Sequence, residues 1–326
     1  MISYEFGPDD LARVRFAVSP LFELAASRQV LRDPARHSVH AAWAREAAER
    51  VAGLDLSLLD AVIPEGPYLP DFVTPPPDEP WPRLAGELER VRATSPGQVA
   101  RELAWAYPGR RVPPAARILL SDPAAGLRRL AAVMAAYWER AVAPWWDRVL
   151  CGALEADIAY RGARLAEGGP IEAFCDLHED VAWRDGALEV RRPYEATVAL
   201  GGRGLLLLPA VFAWPRVWAM TDPPWQPTLV YPPRGVGLLW EQPGRTPDAL
   251  ADLLGRRRAQ LLSELAAPAT TQELARRLDA SPAGVSEHLG VLRRAGLIEG
   301  RREGRAVRYA RTRMGDDLSR SGDLAV

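Results

Sequence analysis

The stretch SPAGVSEHLGVLRRAGL, residues 281–297, decides the fold of the C-terminal part of the chain. Its opening serine and proline are typical of a helix start, and the glycine near its end is typical of a helix stop. Val285, Leu289 and Leu292 recur at helical spacing and form one apolar stripe. The opposite face of this helix carries small and polar side chains, namely Ala283, Ser286, Glu287, Gly290 and Arg294. A face of this kind suits close approach to a flat or grooved partner.

A shorter helical segment precedes this one. TTQELARRL, residues 270–278, begins with threonines that suit an N-cap, and only a few residues separate it from the next helix. Two helices joined by a short turn predict a helix-turn-helix, whose second helix contacts base edges in the major groove through its N-terminal residues. We therefore predict a recognition helix over about residues 282–295.

Arginines crowd the segment that follows. LIEGRREGRAVRYA, residues 297–310, has the pattern of strand, turn and strand. A basic hairpin directly after a recognition helix is a wing, which can lie along the phosphates or enter the minor groove. We predict this wing over about residues 298–310.

Residues 248–315 resemble the winged helix of ArsR-type bacterial transcriptional regulators. The resemblance lies in the order of ELA at 273–275, VSEHLGVLRRAGL at 285–297 and an arginine-rich wing that ends in Tyr309. It implies a transcriptional regulator that binds double-stranded DNA, and we expect a repressor. We also expect a homodimer, because one short recognition helix gives too little specificity and paired half-sites supply the rest. The residues that we predict to contact DNA are Thr271, Gln272, Ser281, Ala283, Ser286, Glu287, His288, Gly290, Arg294, Arg301, Arg302, Arg305 and Arg308.

The chain departs from the metal-sensing members of that family. Such members often carry a cysteine pair in the helix before the recognition helix, where this chain has Thr270, Thr271 and Gln272. Others use histidines and carboxylates in a C-terminal helix, but residues 311–326 contain no histidine. We expect no metal site and no cofactor.

Charge is distributed unevenly along the chain. All 41 cationic side chains are arginine, so arginine alone is a weak indication of phosphate binding here. Residues 249–313 contain 13 arginines and 7 carboxylates, a net charge of +6, whereas residues 1–248 carry about −5. A basic module in a chain of net charge −1 indicates an anionic partner.

Composition also limits the cellular setting. The N-terminal residues MISYEFGPDD lack the basic and apolar regions of a secretory signal, and two cysteines cannot build a disulfide framework. The longest apolar run, LLLLPAVFAW, is too short to span a bilayer. We therefore expect a cytoplasmic protein with no membrane partner.

For the whole chain we predict an α+β, mainly α fold with three regions. Residues 1–245 form a helical domain with a small antiparallel sheet, 246–315 form the winged helix-turn-helix, and 316–326 form an acidic, flexible tail. Within the first region we expect a helix over residues 9–31 with a kink or break at Pro20, and a hairpin turn at GGRG, residues 201–204. This region resembles an uncharacterised domain that accompanies the winged helix in some actinobacterial regulators, and the resemblance implies no chemistry.

Two clusters in the first region have residue types that could bind metal or carry catalysis. His37 and His40 share helical spacing, and Cys175 with His178 is half of a zinc site. Neither cluster is complete, and surface, capping or core roles explain the same residues. A set of aromatic residues fits either a core or the wall of an apolar effector pocket: Trp105, Tyr107, Trp138, Trp145, Trp146, Trp214, Trp218 and Trp225.

Three functions stay open at this point. The leading hypothesis is a sequence-specific DNA-binding transcriptional regulator without enzymatic activity, in which the first region dimerises or senses an apolar small molecule. The second is an enzyme or small-molecule-binding protein with a fused regulatory winged helix. The third is an adaptor that uses the winged helix for protein contacts.

Overall fold

The computed structural model describes residues 1–64, 68–240, 248–265, 268–278, 280–303 and 306–321. The chain divides into two compact units, Met1–Trp240 and Glu241–Val326. Both units contain helices and short strands, and the predicted mainly α, α+β fold class is confirmed. The predicted domain boundary near residue 245 lies within residues 241–247, outside the described residues.

The first unit is built mainly of helices. In chain order they are α1 (Pro20–Arg32), α2 (Ala41–Val51), α3 (Ser57–Val62), α4 (Leu84–Arg92), α5 (Pro96–Ala106), α6 (Ile118–Ser121), α7 (Pro123–Ala141), α8 (Ala143–Trp145) and α9 (Cys151–Phe174). The helix predicted over residues 9–31, with a kink or break at Pro20, begins only at Pro20, where Ser19 caps α1 by accepting the backbone N–H of Phe22. Proline suits this position since the first helical N–H has no partner within the helix. Before α1, Arg15 and Phe16 form a strand, so the prediction of a continuous helix over residues 9–19 is wrong.

Strands of the first unit form two four-stranded sheets within the described residues. The strands are β1 (Ile2–Glu5), β2 (Arg15–Phe16), β3 (Val181–Arg184), β4 (Ala187–Val190), β5 (Ala196–Ala199), β6 (Leu206–Pro209), β7 (Trp218–Met220) and β8 (Thr228–Tyr231). One sheet has the order β3-β4-β1-β5 and the other β2-β6-β8-β7. Because β1 runs parallel to β5, and β6 is parallel to both β2 and β8, the single antiparallel sheet that the sequence predicted is wrong.

The GGRG segment does not form a hairpin. Gly201, Gly202 and Gly204 do have positive φ angles of 60°, 79° and 68°, as the turn chemistry predicted. The strands on either side of them, β5 and β6, belong to different sheets. The segment therefore carries the chain from one sheet to the other, and the prediction of a hairpin is wrong.

The core of the first unit has two parts. Helices α1, α2 and α7 enclose the larger part, around buried Phe22, Trp43 and Leu130. The first sheet and the end of α9 enclose the smaller part, around Tyr4 and Phe174. Burial of side chains of this size is the main favourable contribution to the stability of such a unit.

The second unit has the element order of a winged helix. Its elements are α10 (Asp248–Leu254), α11 (Arg256–Glu264), β9 (Ala269–Thr270), α12 (Thr271–Arg277), α13 (Pro282–Arg294), β10 (Ile298–Glu303), β11 (Ala306–Arg311) and α14 (Arg313–Ser321). The three strands form one sheet in the order β10-β11-β9. Leu262, Leu274, Leu289 and Ile298 are part of a common core.

Helix α14 corrects the prediction of a flexible tail from residue 316. Leu318 on this helix packs against the core of the second unit, and Ser319 is buried and donates to the carbonyl of Gly315. Gly315 lies so close to the preceding segment that a Cβ there would be 2.0 Å from the carbonyl oxygen of Leu297. Residues 316–321 are thus part of the fold, and 322–326 lie outside the described residues.

In the part of the chain that the structure describes, no helix combines the length and the apolar character needed to cross a membrane.

Candidate nucleic-acid interface

Helix α12 begins with a capping box. The backbone N–H of Glu273 donates to the Thr270 hydroxyl at 3.3 Å, and the Glu273 carboxylate accepts the backbone N–H of Thr270 at 2.7 Å. The hydrogen bonds from Thr270 lower the pKa of Glu273 below its ordinary value, the backbone N–H contributing most. Such a box satisfies two N–H groups that the helix leaves without partners and fixes where the helix starts.

A short turn joins α12 to α13. The backbone N–H of Ala280 donates to the carbonyl of Ala275 at 2.9 Å, which folds the chain back after α12. Ser281 then caps α13 by accepting the N–H of Gly284 at 3.2 Å, and Pro282 is the first residue of the helix. The two helices with this turn form a helix-turn-helix.

Helix α13 has one buried and one exposed face. Val285, Leu289 and Leu292 are at most 2% exposed and form the buried stripe. On the opposite side lie five of the residues predicted to contact DNA, Ala283, Ser286, Glu287, Gly290 and Arg294, of which all but the half-buried Gly290 are exposed. At about 100° of rotation per residue, each of these five residues lies within about 60° of their mean direction around the helix axis. We call this surface the α13 face.

The end of α13 is fixed by Gly296. This glycine has a φ of 72°, and its N–H donates to the carbonyl of Arg293 while that of Leu297 donates to Leu292, both at 3.0 Å. This pair of bonds is a Schellman motif, which requires the left-handed conformation that glycine adopts readily. The AGL sequence therefore ends the helix and directs the chain into β10.

The wing is an antiparallel hairpin of β10 and β11. Arg301 is paired directly with Arg308, and Arg302 with Val307. Since successive side chains of a strand point to opposite faces, Arg301 and Arg308 share one face while Arg302 lies on the other. Arg301 and Arg302 are exposed, and Arg308 is half-buried and donates to the carbonyl of Pro268 at 3.1 Å.

The remaining predicted contact residues have different positions. Gln272 and Ser281 are exposed near the starts of their helices, and Thr271 is half-buried at the start of α12. His288 is half-buried and lies about 140° around α13 from the centre of the α13 face. Arg305 lies outside the described residues.

One residue of the wing was missed by the sequence analysis. A Cβ at Gly300 would lie 3.1 Å from both Val307 and Tyr309, so a larger residue would press on the opposite strand. Tyr309 packs against the core of the second unit, and Gly300 leaves room for it. The signal in the sequence was a glycine inside a strand pattern, which often marks a close approach.

The candidate histidine pair lies inside the first unit. His40 is fully buried, and its Nδ1 accepts the indole N–H of Trp240 at 2.8 Å. Burial, and then the neighbouring His37, lower the pKa of His40 to about 3, so its imidazole is neutral. His37 is also buried and its Nδ1 lies 2.9 Å from the carbonyl oxygen of Asp33. Both are packed against the first unit's interior and not displayed on a helix surface.

Cys175 and His178 lie near the end of α9. The thiol of Cys175 is exposed and donates to the carbonyl of Glu172 at 3.4 Å. His178 Nε2 contacts the carbonyl of Pro215 at 3.0 Å, and its Nδ1 accepts the N–H of Asp180. Across the described ranges of the chain, no group of three or more His, Cys, Asp or Glu side chains is arranged to hold a metal ion.

The aromatic residues of the first unit are mostly part of its core. Trp138 is buried, Trp105 is exposed, and the half-buried members packed against the larger core are Trp145, Trp146, Trp214, Trp218 and Trp225. Trp225 and Tyr107 each line a surface cleft, of about 680 Å³ and 770 Å³ respectively. The sequence was compatible with a core or a pocket role for these residues. In the structure most of them pack in the core, and Trp225 and Tyr107 line clefts.

Comparison with known proteins gives two partial similarities. Residues 256–301 match a family described as a helix-turn-helix domain, and residues 97–236 match a family of unknown function, DUF5937. No curated protein and no solved structure matches the chain. The first match extends from α11 to the beginning of the wing and includes the α13 face. The C-terminal unit therefore contains a helix-turn-helix domain, which indicates a DNA-binding regulator.

Proposed function

We propose that the protein is a transcriptional repressor that binds duplex DNA as a homodimer, with α13 in the major groove and the wing on the backbone or in the minor groove. The observation that carries the proposal is the α13 face. Its residues are small or polar and all but Gly290 are exposed, while the opposite stripe of Val285, Leu289 and Leu292 is buried. A helix with short or polar side chains on its exposed face, and its other face packed in a core, fits the major groove, which is about 12 Å wide.

The wing supports the same proposal through its charge. Like charges that lie directly opposite in an antiparallel pair destabilise the hairpin. The pairing of Arg301 with Arg308 places two guanidinium groups on one face of the wing. A phosphate on that face would offset the repulsion, because each guanidinium can form two parallel hydrogen bonds with it. Arg302, on the other face, would contact a different phosphate or none.

The homodimer and the repression rest on separate arguments. One recognition helix contacts only a few base pairs, and a second copy on a paired half-site supplies the remaining specificity. Repression follows the resemblance to ArsR-type regulators. In this proposal the first unit dimerises or senses a small molecule, and a change in its state alters the spacing of the two recognition helices.

The test begins with selection of bound sequences from a random duplex library by the full-length chain. Fluorescence anisotropy then measures the affinity of the selected duplex at several salt concentrations. We expect a palindromic site and a 2:1 complex of protein with DNA. Arg301→Ala combined with Arg308→Ala should weaken binding to all sequences and reduce the slope of log affinity against log salt by about 2. Ser286→Ala or Glu287→Ala should instead change the preferred base at one or two positions.

A matched control removes the same charge elsewhere. Arg184 and Arg216 are exposed in the first unit, and the Arg184→Ala, Arg216→Ala double variant should keep the parental affinity and salt slope. If no sequence is enriched, or if the wing and α13 variants bind as the parent does, the proposal is wrong.

A further inference from the structure

A cleft of about 680 Å³ lies on the first unit between residues 12–15, 202–203 and 224–226. Arg13, Arg15 and Arg203 line it, and among its described lining residues there is no Asp or Glu. Residues 1–248 carry a net charge of about −5, whereas this cleft is lined by three positively charged arginines. A cleft lined by charges of one sign focuses its potential on ions of the other sign.

Arg15 is held by neutral groups. Its Nη2 donates to the carbonyl of Pro77 at 3.0 Å and to Oε1 of Gln226 at 2.6 Å. Its partial burial lowers the pKa of its guanidinium. The Gln226 amide also donates to the carbonyl of Arg203 at 3.2 Å, so one side chain links two walls of the cleft. The charge of Arg15 is oriented by these bonds and not neutralised.

The GGRG segment brings Arg203 to the opposite wall. The N–H of Gly204 donates to buried Asp10 at 2.9 Å, and a Cβ at Gly204 would lie 2.2 Å from the carbonyl oxygen of Arg13. Only glycine permits both this approach and the φ of 68°. Arg13 in turn donates to the carbonyl of Gly202. The loop thus packs Gly202 and Gly204 against Arg13, and Arg203 lies between these two glycines in the chain.

Carbonyl oxygens also hold the guanidinium of Arg203. It donates to the carbonyls of Leu200 and Ala199 at 2.9 Å and 3.0 Å. Within the described residues, no carboxylate forms an ion pair with Arg13, Arg15 or Arg203. Each guanidinium has five N–H donors, so donors remain on all three after these bonds.

Trp225 gives the cleft an apolar wall. Its indole N–H donates to the buried carboxylate of Glu102 at 3.0 Å, which fixes the ring, and the ring packs against the larger core. Val14 and Pro224 add further apolar surface. Pockets of 300–1,000 Å³ with apolar walls and a few oriented polar groups are typical of small-molecule sites. Arginine forks match carboxylates, and the indole suits a flat apolar body.

We propose that this cleft binds a small aromatic carboxylate, whose carboxylate contacts Arg13, Arg15 and Arg203 and whose ring lies against Trp225. Binding here does not depend on the DNA binding proposed above. If both proposals hold, the ligand is the effector that the regulator senses.

The probe is 2-naphthoate, titrated into the full-length protein by isothermal calorimetry. Its neutral isostere 2-naphthamide and inorganic phosphate serve as comparison ligands. We expect one naphthoate per chain, with an affinity about tenfold or more above that of naphthamide, because a charge-assisted bond contributes about 1.5–3 kcal/mol. Phosphate should compete with naphthoate but bind more weakly, because it lacks the apolar body.

Variants connect the binding to the cleft. Arg203→Ala and Arg13→Ala should each weaken naphthoate binding about tenfold, whereas Arg216→Ala, an exposed arginine outside the cleft, should leave it unchanged. Circular dichroism of each variant checks that it folds, and Arg15 is left intact because of its partial burial. Equal affinity for naphthoate and naphthamide, no saturation by about 10 mM, or parental affinity in both cleft variants would overturn the proposal.

Discussion

The two units differ in how they satisfy their polar side chains. In the second unit the bonds that set the element boundaries are local. Thr270 bonds with Glu273, Ser281 with Gly284 and Thr312 with Gly315, each pair three residues apart. Every one of these bonds lies within a single turn of chain. The winged helix is therefore specified by short stretches of sequence.

The first unit has local caps too, at Ser19, Ser95 and Asp122, but it adds buried carboxylates that join distant segments. The buried carboxylate of Glu23 accepts the backbone N–H groups of Val211 and Phe212, 188 and 189 residues away. Buried Glu102 accepts the N–H of Phe72 at 2.7 Å, and buried Asp10 accepts that of Gly204 at 2.9 Å. These buried acids link parts of the first unit that lie far apart in the sequence.

This difference has a physical consequence. A local bond forms as soon as its turn forms, whereas a bond across 188 residues exists only once the whole unit has folded. Breaking a local bond should loosen one element, and breaking a distant one should destabilise the unit as a whole. All 11 tryptophans lie at or before residue 240, so tryptophan fluorescence follows the first unit alone.

The largest effect is expected at Asp157. This fully buried carboxylate accepts from Arg161 Nε at 3.1 Å, the Tyr231 hydroxyl at 2.8 Å and the N–H of Arg234 at 3.1 Å. Among the described residues, Asp157→Ala leaves the buried guanidinium of Arg161 with the partly exposed Asp176 as its one ionic partner. We expect the free energy of unfolding of the first unit to fall by about 3–5 kcal/mol, measured by urea denaturation with tryptophan fluorescence.

An exposed ion pair in the same unit is the matched control. Glu46 and Arg50 lie one turn apart on α2, with both side chains more than 40% exposed. Glu46→Ala should cost less than about 0.5 kcal/mol, because solvent screens such pairs. If the two variants cost the same, the buried network does not hold the first unit together.

The second prediction concerns pH. Burial raises the pKa of Glu23 to about 7 and that of Glu87 to about 8, although the hydrogen bonds that each accepts lower it. In the unfolded chain both acids ionise near 4.5. Their stabilisation is therefore complete below pH 4.5 and is lost as the pH rises through 7 and 8. We expect the free energy of unfolding of the first unit to fall by at least about 2 kcal/mol between pH 5 and pH 8.5.

Glu87→Gln identifies the group responsible. Glu87 accepts from the Ser19 hydroxyl at 2.6 Å and the N–H of Leu21 at 2.8 Å, and glutamine resembles the protonated acid in this position. The variant should be more stable than the parent at pH 8.5 and should show a shallower pH dependence. Glu49→Gln, at an exposed position of α2, should follow the parent curve at every pH. A parental slope in Glu87→Gln would contradict the assignment.

The same contrast explains which parts of the fold the sequence predicted. Thr270, Ser281 and Gly296 each mark an element boundary through neighbours in the sequence, and the helix-turn-helix and wing followed from them. Residues 15 and 16 fit a helical pattern, yet they form β2 because Leu206 and Leu207 pair with them. No local signal encodes a partner 191 residues away. For the same reason GGRG predicted its backbone angles but not which strands it joins.

The sequence correctly predicted which candidate DNA-contact residues share one face of α13, because helical spacing alone decides their position. For the wing, all four arginines were treated alike, whereas strand register separates Arg302 from Arg301 and Arg308. Their contacts with DNA stay predictions. Arg13, Arg15 and Arg203 were not candidates at all, because their proximity depends on the contact between residue 13 and the GGRG loop.

The third prediction tests the local character of the second unit. Thr270→Ala removes the capping box of α12 and should cost about 1 kcal/mol. Since the second unit lacks tryptophan, far-ultraviolet circular dichroism should show the loss while the fluorescence transition stays unchanged. Thr271→Ala is the control, because the Thr271 hydroxyl has no part in the capping box. A shifted fluorescence transition in Thr270→Ala would mean that the two units do not unfold independently.

The smallest effect on stability is expected at Ser281, where it separates two roles of one side chain. Its hydroxyl caps α13 at 3.2 Å from the N–H of Gly284 and is exposed at the start of the proposed recognition helix. Glycine is itself an acceptable N-cap, so Ser281→Gly should lower the free energy of unfolding of the second unit by only a few tenths of a kcal/mol. If the hydroxyl also contacts a phosphate, affinity for the selected duplex should fall several-fold at unchanged stability. If the variant binds with parental affinity, Ser281 acts only as a helix cap. The proposed DNA contacts of α13 are then restricted to the α13 face.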